Sequence, residues 1–502
     1  MNTEVQAFID KATVMFLTRD EIPPGRKPIP CMAKLSVKYK NGVVERRKCR
    51  IVASGQKEEF LLDFMDTHAP TPMYISVHML LIVAETMGLK TFTMDVQTAF
   101  LNSEIKDYDI YVELPHGVGF PEVFGKLLKS IYGLKQAARD WHVELHKLLV
   151  ELGLTASAAD PSLYYAFLPD GVLVLMAIFV DDVLTCTNSV SFYKRFIKEF
   201  NKRFACKDLG ELDQYIGIEV RRDEFGALLS RVHSIDKLAE KFASENRNLH
   251  KYPITKDIQL TRAMSFDRKV QYRELYGSLL FEKRTWRPDI AYAMAYYGNF
   301  VGHFQQEHFD GLLKTLLYLK RTQHVTLKYT ADPRLESMGD MLLEMYTDAS
   351  FGDKNATEWQ STSGWVIKLN GNTLTAGSKR EKFTAISTQE SELIAVYRGL
   401  RDMMGALWVL SSLQLKVQLP MTVYVDNMPT INLIKNKVCN SESKHIDIKY
   451  FWSRQLVQRG LVDVKWVRSE NNLADLMTKP LVGAQFVKLR NLVMGHAEDA
   501  FA

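Results

Sequence analysis

The segment AIFVDDVL, residues 177–184, decides the fold because it places two adjacent aspartates between two apolar runs. The runs 172–180 and 183–187 predict the strands of a hairpin with Asp181 and Asp182 at its tip. Aspartate is a common turn residue, so this hairpin alone leaves a structural and a functional interpretation equally open.

A third aspartate shifts the balance toward function. Asp95 comes near the end of the apolar segment LKTFTMDV (89–96), which predicts another strand. If this strand and the hairpin are neighbours in one sheet, three carboxylates converge and repel one another. A pair of Mg²⁺ ions, which prefer oxygen ligands, would relieve that repulsion and could bridge a 3′-hydroxyl and the phosphates of a nucleotide.

A second acidic set lies beyond a domain boundary predicted near 335–341. The predicted elements there are a three-stranded meander, a long helix after Ser387, two further strands and a final helix, an order typical of an α/β domain. Asp348 lies in an otherwise apolar first strand, where burial of a charge is costly. Three more acids follow on later elements: Glu392, Asp426 and Asp475.

Some of these acids also have a structural interpretation. Glu392 could complement the dipole of the long helix, and Asp426 could cap the helix that starts near Pro429. Ser387 and Glu390 fit a capping box, so Glu390 is predicted to serve the helix end.

Length and composition exclude several classes of protein. The chain has 502 residues, of which 46% are hydrophobic and 25% charged, and this excludes wholesale disorder. The longest apolar run, Val172 to Val180, is less than half as long as a membrane helix. No secretory signal is predicted, and five scattered cysteines without a CxxC pair favour a reducing, intracellular compartment.

Charge is distributed unevenly along the chain. The net charge of +5 is too small to predict nucleic-acid binding by itself. Residues 1–50 hold 11 Lys and Arg against 5 Asp and Glu, whereas residues 51–200 hold 11 against 19. A basic run at 46–50 is commonly a solvated strand face, but beside an acidic metal site it also predicts a surface that binds phosphates.

Three motifs connect these residues to a known family. FTMDVQTAFLN (92–102), SIYGLKQAARDWH (130–142) and FVDDVL (179–184) resemble the polymerase motifs of Copia-type retrotransposon reverse transcriptases. The resemblance implies an α+β right-hand polymerase of fingers, palm and thumb over most of residues 34–330. It continues, in the order usual for the family, in RRKCRIVASG (46–55), DTHAPT (66–71), KDLGELDQYIGIEV (207–220) and YRELYGSLLFEKRTWRPDIAYA (272–293).

The resemblance assigns the metal-binding role to Asp95, Asp181 and Asp182. Phe100 falls where the family keeps an aromatic ring beneath the sugar of the incoming nucleotide. Such a ring would clash with a 2′-hydroxyl and so select deoxyribonucleotides, whereas composition alone favours a core phenylalanine.

Three further residues match positions that meet the incoming nucleotide. Gln136 corresponds to a glutamine that touches the nucleotide, and is otherwise a residue of a helix surface. Lys48 and Arg50 match basic fingers residues that hold the triphosphate, and which of the two meets the γ-phosphate stays open.

The C-terminal α/β domain resembles ribonuclease H, in which four carboxylates bind two Mg²⁺ ions. STQESELIAV (387–396) and SKHIDIKYFW (443–452) are similar to the Copia-type form of that domain. His445 lies in a family-typical Lys-His-Ile but is more commonly structural, and it is not assigned to the site. The implied metal ligands are Asp348, Glu392, Asp426 and Asp475.

The resemblance implies reverse transcriptase fingers and palm over 1–250, a helical thumb or connection region over 251–340 and an α/β ribonuclease H-like domain over 341–502. The implied activities are RNA-directed DNA polymerase and ribonuclease H, with two Mg²⁺ ions in each site and Mn²⁺ as a substitute. A catalytically silent protein that binds RNA–DNA hybrids and a nuclease without polymerase activity are the alternatives.

The implied partners are nucleic acids and nucleotides: an RNA template, a DNA or tRNA primer, the RNA–DNA hybrid and dNTPs. Integrase and capsid segments of the same element are further candidates, and no membrane partner is expected. The implied location is a cytoplasmic virus-like particle, with the nucleus as the alternative.

Overall fold

The computed structural model describes residues 2–40, 43–243, 248–256, 258–331, 340–352, 360–382, 384–436 and 451–500. The chain divides into two compact units, the first comprising Met1–Pro72 and Lys90–Glu211 and the second Met73–Leu89 and Leu212–Ala502. This division into two units does not test the predicted domain boundaries at 250 and 340, which stay a prediction.

The described residues form strands and α-helices, which are numbered below in chain order. No helix among the described residues is both long enough and apolar enough to cross a membrane. The strands are β1 Val14–Leu17, β2 Ile29–Lys40, β3 Val43–Ala53, β4 Lys90–Val96, β5 Tyr111–Glu113, β6 Phe124–Leu127, β7 Thr155–Ala156, β8 Leu163–Leu168, β9 Val172–Phe179, β10 Asp182–Thr187, β11 Cys206–Glu211, β12 Gln214–Tyr215, β13 Ile218–Asp223, β14 Gly226–Ser230, β15 Leu327–Thr330, β16 Leu343–Ser350, β17 Thr362–Leu369, β18 Asn372–Arg380, β19 Met421–Val425 and β20 Val462–Trp466. The α-helices are α1 Asn2–Asp10, α2 Tyr74–Thr86, α3 Ala137–Glu151, α4 Val190–Asn201, α5 Val232–Phe242, α6 Tyr272–Thr285, α7 Ala291–Gly298, α8 Gln306–Arg321, α9 Thr388–Ser412, α10 Met428–Lys435, α11 Trp452–Gln458, α12 Asp475–Thr478 and α13 Gly483–Val493.

In the first unit, the larger sheet carries the predicted aspartate hairpin. It has six strands in the order β11-β4-β10-β9-β8-β7, and each neighbouring pair is antiparallel. β9 is buried along most of its length, which accounts for its continuous apolar sequence VLVLMAIF. The sheet shares one core with α3 and α4, to which Trp141, Leu145, Phe196 and Phe200 contribute.

The smaller sheet of the first unit has the order β1-β6-β5-β2-β3. Its strands β2 and β3 form the basic hairpin, paired antiparallel from Cys31 opposite Ala53 to Lys40 opposite Val43. Asn41 and Gly42, a pair that predicts a hairpin turn between these strands, lie outside the described residues. The basic segment is therefore one strand of a long ribbon at the edge of this sheet.

In the second unit, a five-stranded sheet has the order β18-β17-β16-β19-β20. β16, β17 and β18 form an antiparallel meander, and β19 and β20 continue the sheet in parallel. The helix α9 buries Leu393, Val396 and Leu400. The predicted order of meander, long helix, two strands and a helix that carries Asp475 is confirmed, but that helix, α12, is followed by a further one, α13.

The same unit contains a four-stranded sheet, β12-β13-β14-β15, and a buried ion pair beside the helices α6, α7 and α8. Arg287 donates to Asp289 from Nε at 2.8 Å and from Nη2 at 2.7 Å, and both side chains are fully buried. Nη2 of Arg287 also donates to Thr322 Oγ1 at 2.8 Å, and the Tyr318 hydroxyl donates to Asp289. Burial opposes ionisation of Asp289, but the charge and hydrogen bonds of Arg287, together with the hydrogen bond from Tyr318 and the charge of Arg490, lower the pKa of this carboxyl.

Loss of one partner from this ion pair should strongly destabilise the second unit. We expect Arg287→Met to lower the free energy of unfolding by about 3–5 kcal/mol, because Asp289 would stay buried without its counter-charge. Urea unfolding of the full chain measures the change. The control is Lys241→Met, which removes an exposed pair with Glu274 and should have little effect. Equal effects of the two substitutions would show that the buried pair has no special role.

Candidate active sites

The predicted hairpin places Asp181 in a tight turn. Phe179 lies opposite Asp182 in the pairing of β9 and β10, so Val180 and Asp181 form a two-residue turn. Val180 has a φ of +57°, a left-handed conformation that is unfavourable for a β-branched residue. Two hydrogen bonds hold the turn: Trp141 Nε1 donates to the carbonyl of Val180 at 2.7 Å, and the Val96 amide donates to that of Asp181 at 2.8 Å.

The third aspartate of the first unit lies on the neighbouring strand. Asp95 is directly opposite Asp182 in the antiparallel pairing of β4 and β10. Residues in this relation project from the same face of a sheet with their Cβ atoms about 4.5–5.5 Å apart. The structure thus brings Asp95, Asp181 and Asp182 to one end of the sheet, and all three are half-buried. Their oxygens do not form a group within 4.8 Å like the one described below, judged among the described residues.

An aromatic pair connects two of the predicted nucleotide-binding residues. The ring of Phe100, on a short 3-10 helix, meets the ring of Tyr132 edge to face with centroids 5.0 Å apart. The guanidinium of Arg50 lies 4.8 Å from the centroid of Tyr132. Burial raises the pKa of Tyr132; the charge of Arg50 opposes this effect and that of Asp181 adds to it. A role for Tyr132 was not predicted from the sequence, although this residue lies in the segment 130–142.

Of the other two predicted nucleotide-binding residues, only Gln136 has a side chain that the structure describes. Gln136, next to the first residue of α3, is buried, and its Nε2 donates to the carbonyl of Asp63 at 3.2 Å. Its Oε1 is buried without a hydrogen-bond partner in the described part of the chain. Lys48 lies on β3, but its side chain is outside the described residues.

In the second unit, the parallel pairing of two strands brings two acids together. Thr347 of β16 pairs with Val425 of β19, so the next residues, Asp348 and Asp426, follow at the same edge of the sheet. Glu392 projects to this edge from α9. One oxygen each of Asp348, Glu392 and Asp426 lies within 4.8 Å of the others.

Two glutamates at the start of α9 have different roles: Glu390 caps the helix, and Glu392 belongs to the carboxylate group. The Ser387 hydroxyl accepts from the Glu390 amide at 3.1 Å, and the Glu390 carboxylate accepts from the Ile386 amide at 2.7 Å. The return bond therefore reaches one residue further than the predicted capping box. Because Glu390 serves the helix end, Glu392 is the acid that joins the carboxylate group.

The fourth predicted acid joins this group through a lysine. Asp475 is the first residue of α12, and its Oδ1 accepts from Lys479 Nζ at 2.9 Å. The same Nζ lies 3.2 Å from Asp348 Oδ2, and Thr478 Oγ1 donates to that oxygen as well. Neither Thr478 nor Lys479 was predicted from the sequence, because their role depends on a strand more than a hundred residues away.

The electrostatics of the acidic group match a site for divalent cations. Burial, and then repulsion from Asp348 and Asp426, raises the pKa of Glu392 well above its ordinary value. Burial and the charge of Asp348 raise the pKa of Asp475 to about 7. Glu392 Oε2 is buried without a hydrogen-bond partner among the described residues. Several close carboxylates, one with an unsatisfied oxygen, fit the ligand preference of Mg²⁺.

Comparison with known proteins adds a family to this geometry. The family described as reverse transcriptase (RNA-dependent DNA polymerase) matches residues 17–256. The transposon Ty5-1 protein of Saccharomyces cerevisiae is 32% identical over 308 residues, which are 60% of this chain and 97% of that protein. The Pol polyprotein from transposon RE1 of Arabidopsis thaliana is 30% identical over 501 residues, 97% of this chain and 33% of that protein. The chain belongs to the Copia-type retrotransposon Pol polyproteins.

These similarities cover different shares of the two proteins compared. The chain spans about a third of the length of the plant polyproteins that it matches. The N-terminal ribonuclease H domain of rv2228c from Mycobacterium tuberculosis, fused to maltose-binding protein, has 14% identity and a TM-score of 0.21, over 28% of this chain and 91% of that one. The resemblance of the second unit to ribonuclease H depends on its strand order and its acids.

The raised pKa of Glu392 predicts a pH-dependent gain of stability when this acid is neutralised. A carboxyl whose pKa is higher in the folded state loses stability as pH rises from its unfolded to its folded pKa. We therefore expect metal-free Glu392→Gln to melt at a higher temperature than the parent at about pH 8, with the difference shrinking toward about pH 5. Melting of the full chain in EDTA measures it.

The matched control is Glu390→Gln, two residues earlier on the same helix. Glu390 caps the helix and lies outside the carboxylate group, so its replacement should give no gain that grows with pH. A Glu392→Gln variant that melts below the parent at high pH would contradict the electrostatic account.

Proposed function

We propose that the chain is an RNA-directed DNA polymerase with ribonuclease H activity, which copies retrotransposon RNA into DNA and degrades the RNA of the hybrid. The observation that carries the proposal is the presence of a separate acidic group in each unit, in a chain of this family. The substrates would be an RNA template, a DNA or tRNA primer, the RNA–DNA hybrid and dNTPs. Integrase or capsid segments would be partners within a cytoplasmic virus-like particle.

In the polymerase half, Asp95, Asp181 and Asp182 would hold two Mg²⁺ ions. When bound, such ions favour ionisation of the primer 3′-hydroxyl and neutralise charge on the phosphates. Arg50 supplies a fixed positive charge for the triphosphate, joined by Lys48. Phe100, supported by the ring of Tyr132, limits the space beneath the sugar, and the unpaired Oε1 of Gln136 is an acceptor for the nucleotide.

In the nuclease half, Asp348, Glu392, Asp426 and Asp475 would hold two Mg²⁺ ions, for which Mn²⁺ can substitute. The support is the buried, unpaired oxygen of Glu392 and the convergence of three of these acids. The carboxylates position the cations at the edge of the sheet, and the half-buried Asp426 lies where a nucleic acid could approach. The alternatives are a silent hybrid-binding protein and a nuclease without polymerase activity.

Substitutions in the two acidic groups should separate the two activities. We expect Asp181→Asn with Asp182→Asn to lower dTTP incorporation on poly(rA)/oligo(dT) by at least about a hundredfold while leaving RNA cleavage intact. Asp348→Asn should have the opposite effect, because the two metal sites belong to different units. Primer extension and cleavage of a labelled RNA–DNA hybrid, both with Mg²⁺, measure the outcome.

Each alternative gives a different result in the same assays. Cleavage without incorporation by the unmodified chain would favour a nuclease alone. Hybrid binding without either reaction would favour a silent binder. Loss of both activities from either substitution would contradict the assignment of one site to each unit.

Removal of the Phe100 ring should relax the selection of the sugar. Phe100→Ala opens space for a 2′-hydroxyl, so we expect the preference for dTTP over UTP to fall by at least about tenfold. Ratios of kcat/KM for the two nucleotides measure it. The control Phe167→Ala removes another, more exposed ring of the same unit and should leave the ratio unchanged. If Phe100→Ala also leaves it unchanged, Phe100 does not select the sugar.

A further inference from the structure

A lysine side chain lies within the acidic group of the second unit. Lys479 follows α12 directly, and its Nζ is 2.9 Å from Asp475 Oδ1 and 3.2 Å from Asp348 Oδ2. The Asp348 side chain is 3% exposed, whereas that of Lys479 is 38% exposed. The ammonium thus reaches from the surface into the carboxylate group.

An ordinary surface ion pair does not account for this contact. Asp475 and Lys479 are four residues apart, and an exposed pair at this spacing contributes little. Asp348, however, comes from the central strand β16 and is buried, where an uncompensated charge is costly. Lys479 therefore bridges the buried Asp348 of β16 and Asp475 of α12.

A lysine ammonium is easier to displace from carboxylate oxygens than an arginine guanidinium. Its ammonium is a compact charge on a flexible stem, whereas the planar guanidinium of arginine binds two oxygens in a fixed fork. The proposed nuclease needs the same two carboxylates, Asp348 and Asp475, as metal ligands. A divalent cation that binds both of them has to compete with the ammonium for their oxygens.

We propose that Lys479 is a positioning residue that holds Asp348 and Asp475 together in the metal-free protein and yields their oxygens to the incoming divalent cation. This inference rests on the proposed nuclease site. Lys479 thereby stabilises the empty acidic group and sets the metal concentration at which the site fills.

The test is Mn²⁺ binding by the full chain, followed by the EPR signal of free Mn²⁺. The polymerase ligands are first replaced by Asp181→Asn and Asp182→Asn, so that the measured binding reports the second unit. In this background we expect Lys479→Met to bind Mn²⁺ about tenfold more tightly, the scale on which groups beside a metal site change its affinity. We expect Lys479→Met to lower the melting temperature in EDTA. Added Mn²⁺ should raise the melting temperature of this variant by more than that of the parent, the chain with only Asp181→Asn and Asp182→Asn.

Two further variants keep the test decisive. Lys479→Arg retains the charge but in a fork that is harder to displace, so it should melt like the parent and bind Mn²⁺ more weakly. Lys435→Met is the matched control, since Lys435 forms an ion pair of 2.9 Å with Asp463 in the same sheet region but outside the acidic group. It should change neither the affinity nor the shift caused by Mn²⁺.

The outcomes separate this inference from the proposed function. If Mn²⁺ binds and Asp348→Asn abolishes binding, but Lys479→Met leaves the affinity unchanged or weakens it, the role of Lys479 is overturned and the nuclease site stands. If the parent does not bind Mn²⁺, or if Asp348→Asn leaves its Mn²⁺ binding unchanged, the proposed metal site fails, and the role of Lys479 fails with it.

Discussion

The electrostatic cost of holding several carboxylates together out of water is the constraint on which the second unit depends. Asp348, Glu392 and Asp426 offer oxygens within 4.8 Å of one another, and burial with mutual repulsion raises the pKa of Glu392. A flexible segment could not assemble such a group, because each carboxylate would turn toward water. The acids are held instead by elements fixed through other contacts: the central strand β16, its parallel neighbour β19 and the apolar face of α9.

The first unit meets a milder form of the same constraint in a different way. Its three aspartates are half-buried, and the unfavourable feature is the left-handed backbone of Val180 rather than desolvation. Trp141, a core residue of α3, binds the carbonyl of Val180 and holds the turn in place. In both units, a locally unfavourable feature persists because rigid neighbours determine it.

The sequence predicted those features that short segments or element order determine. The hairpin of Asp181 and Asp182, the neighbouring strand with Asp95 and the order of elements around Asp348 are of this kind. Tyr132, Thr478 and Lys479 were missed because their contacts join segments far apart in the chain, which periodicity does not report. The grouping of α2 with residues beyond 212 was unpredictable for the same reason. The ligand roles of the acids stay predictions.

The energetics of the acidic group bear on the choice between an enzyme and a silent binder. The four residues that follow Glu392 on α9, Leu393 to Val396, are apolar and buried, and an uncharged residue in place of Glu392 would remove desolvation and repulsion at once. Thr478 and Lys479 contact Asp348, whereas Glu392 Oε2 has no hydrogen-bond partner among the described residues. A cation that binds the folded state alone would supply the missing compensation and stabilise the chain by mass action. The proposed nuclease would use these acids as metal ligands, whereas binding of a hybrid alone does not require acids buried at such cost. The unpaired oxygen of Glu392 is therefore easier to account for in the proposed nuclease than in a silent binder.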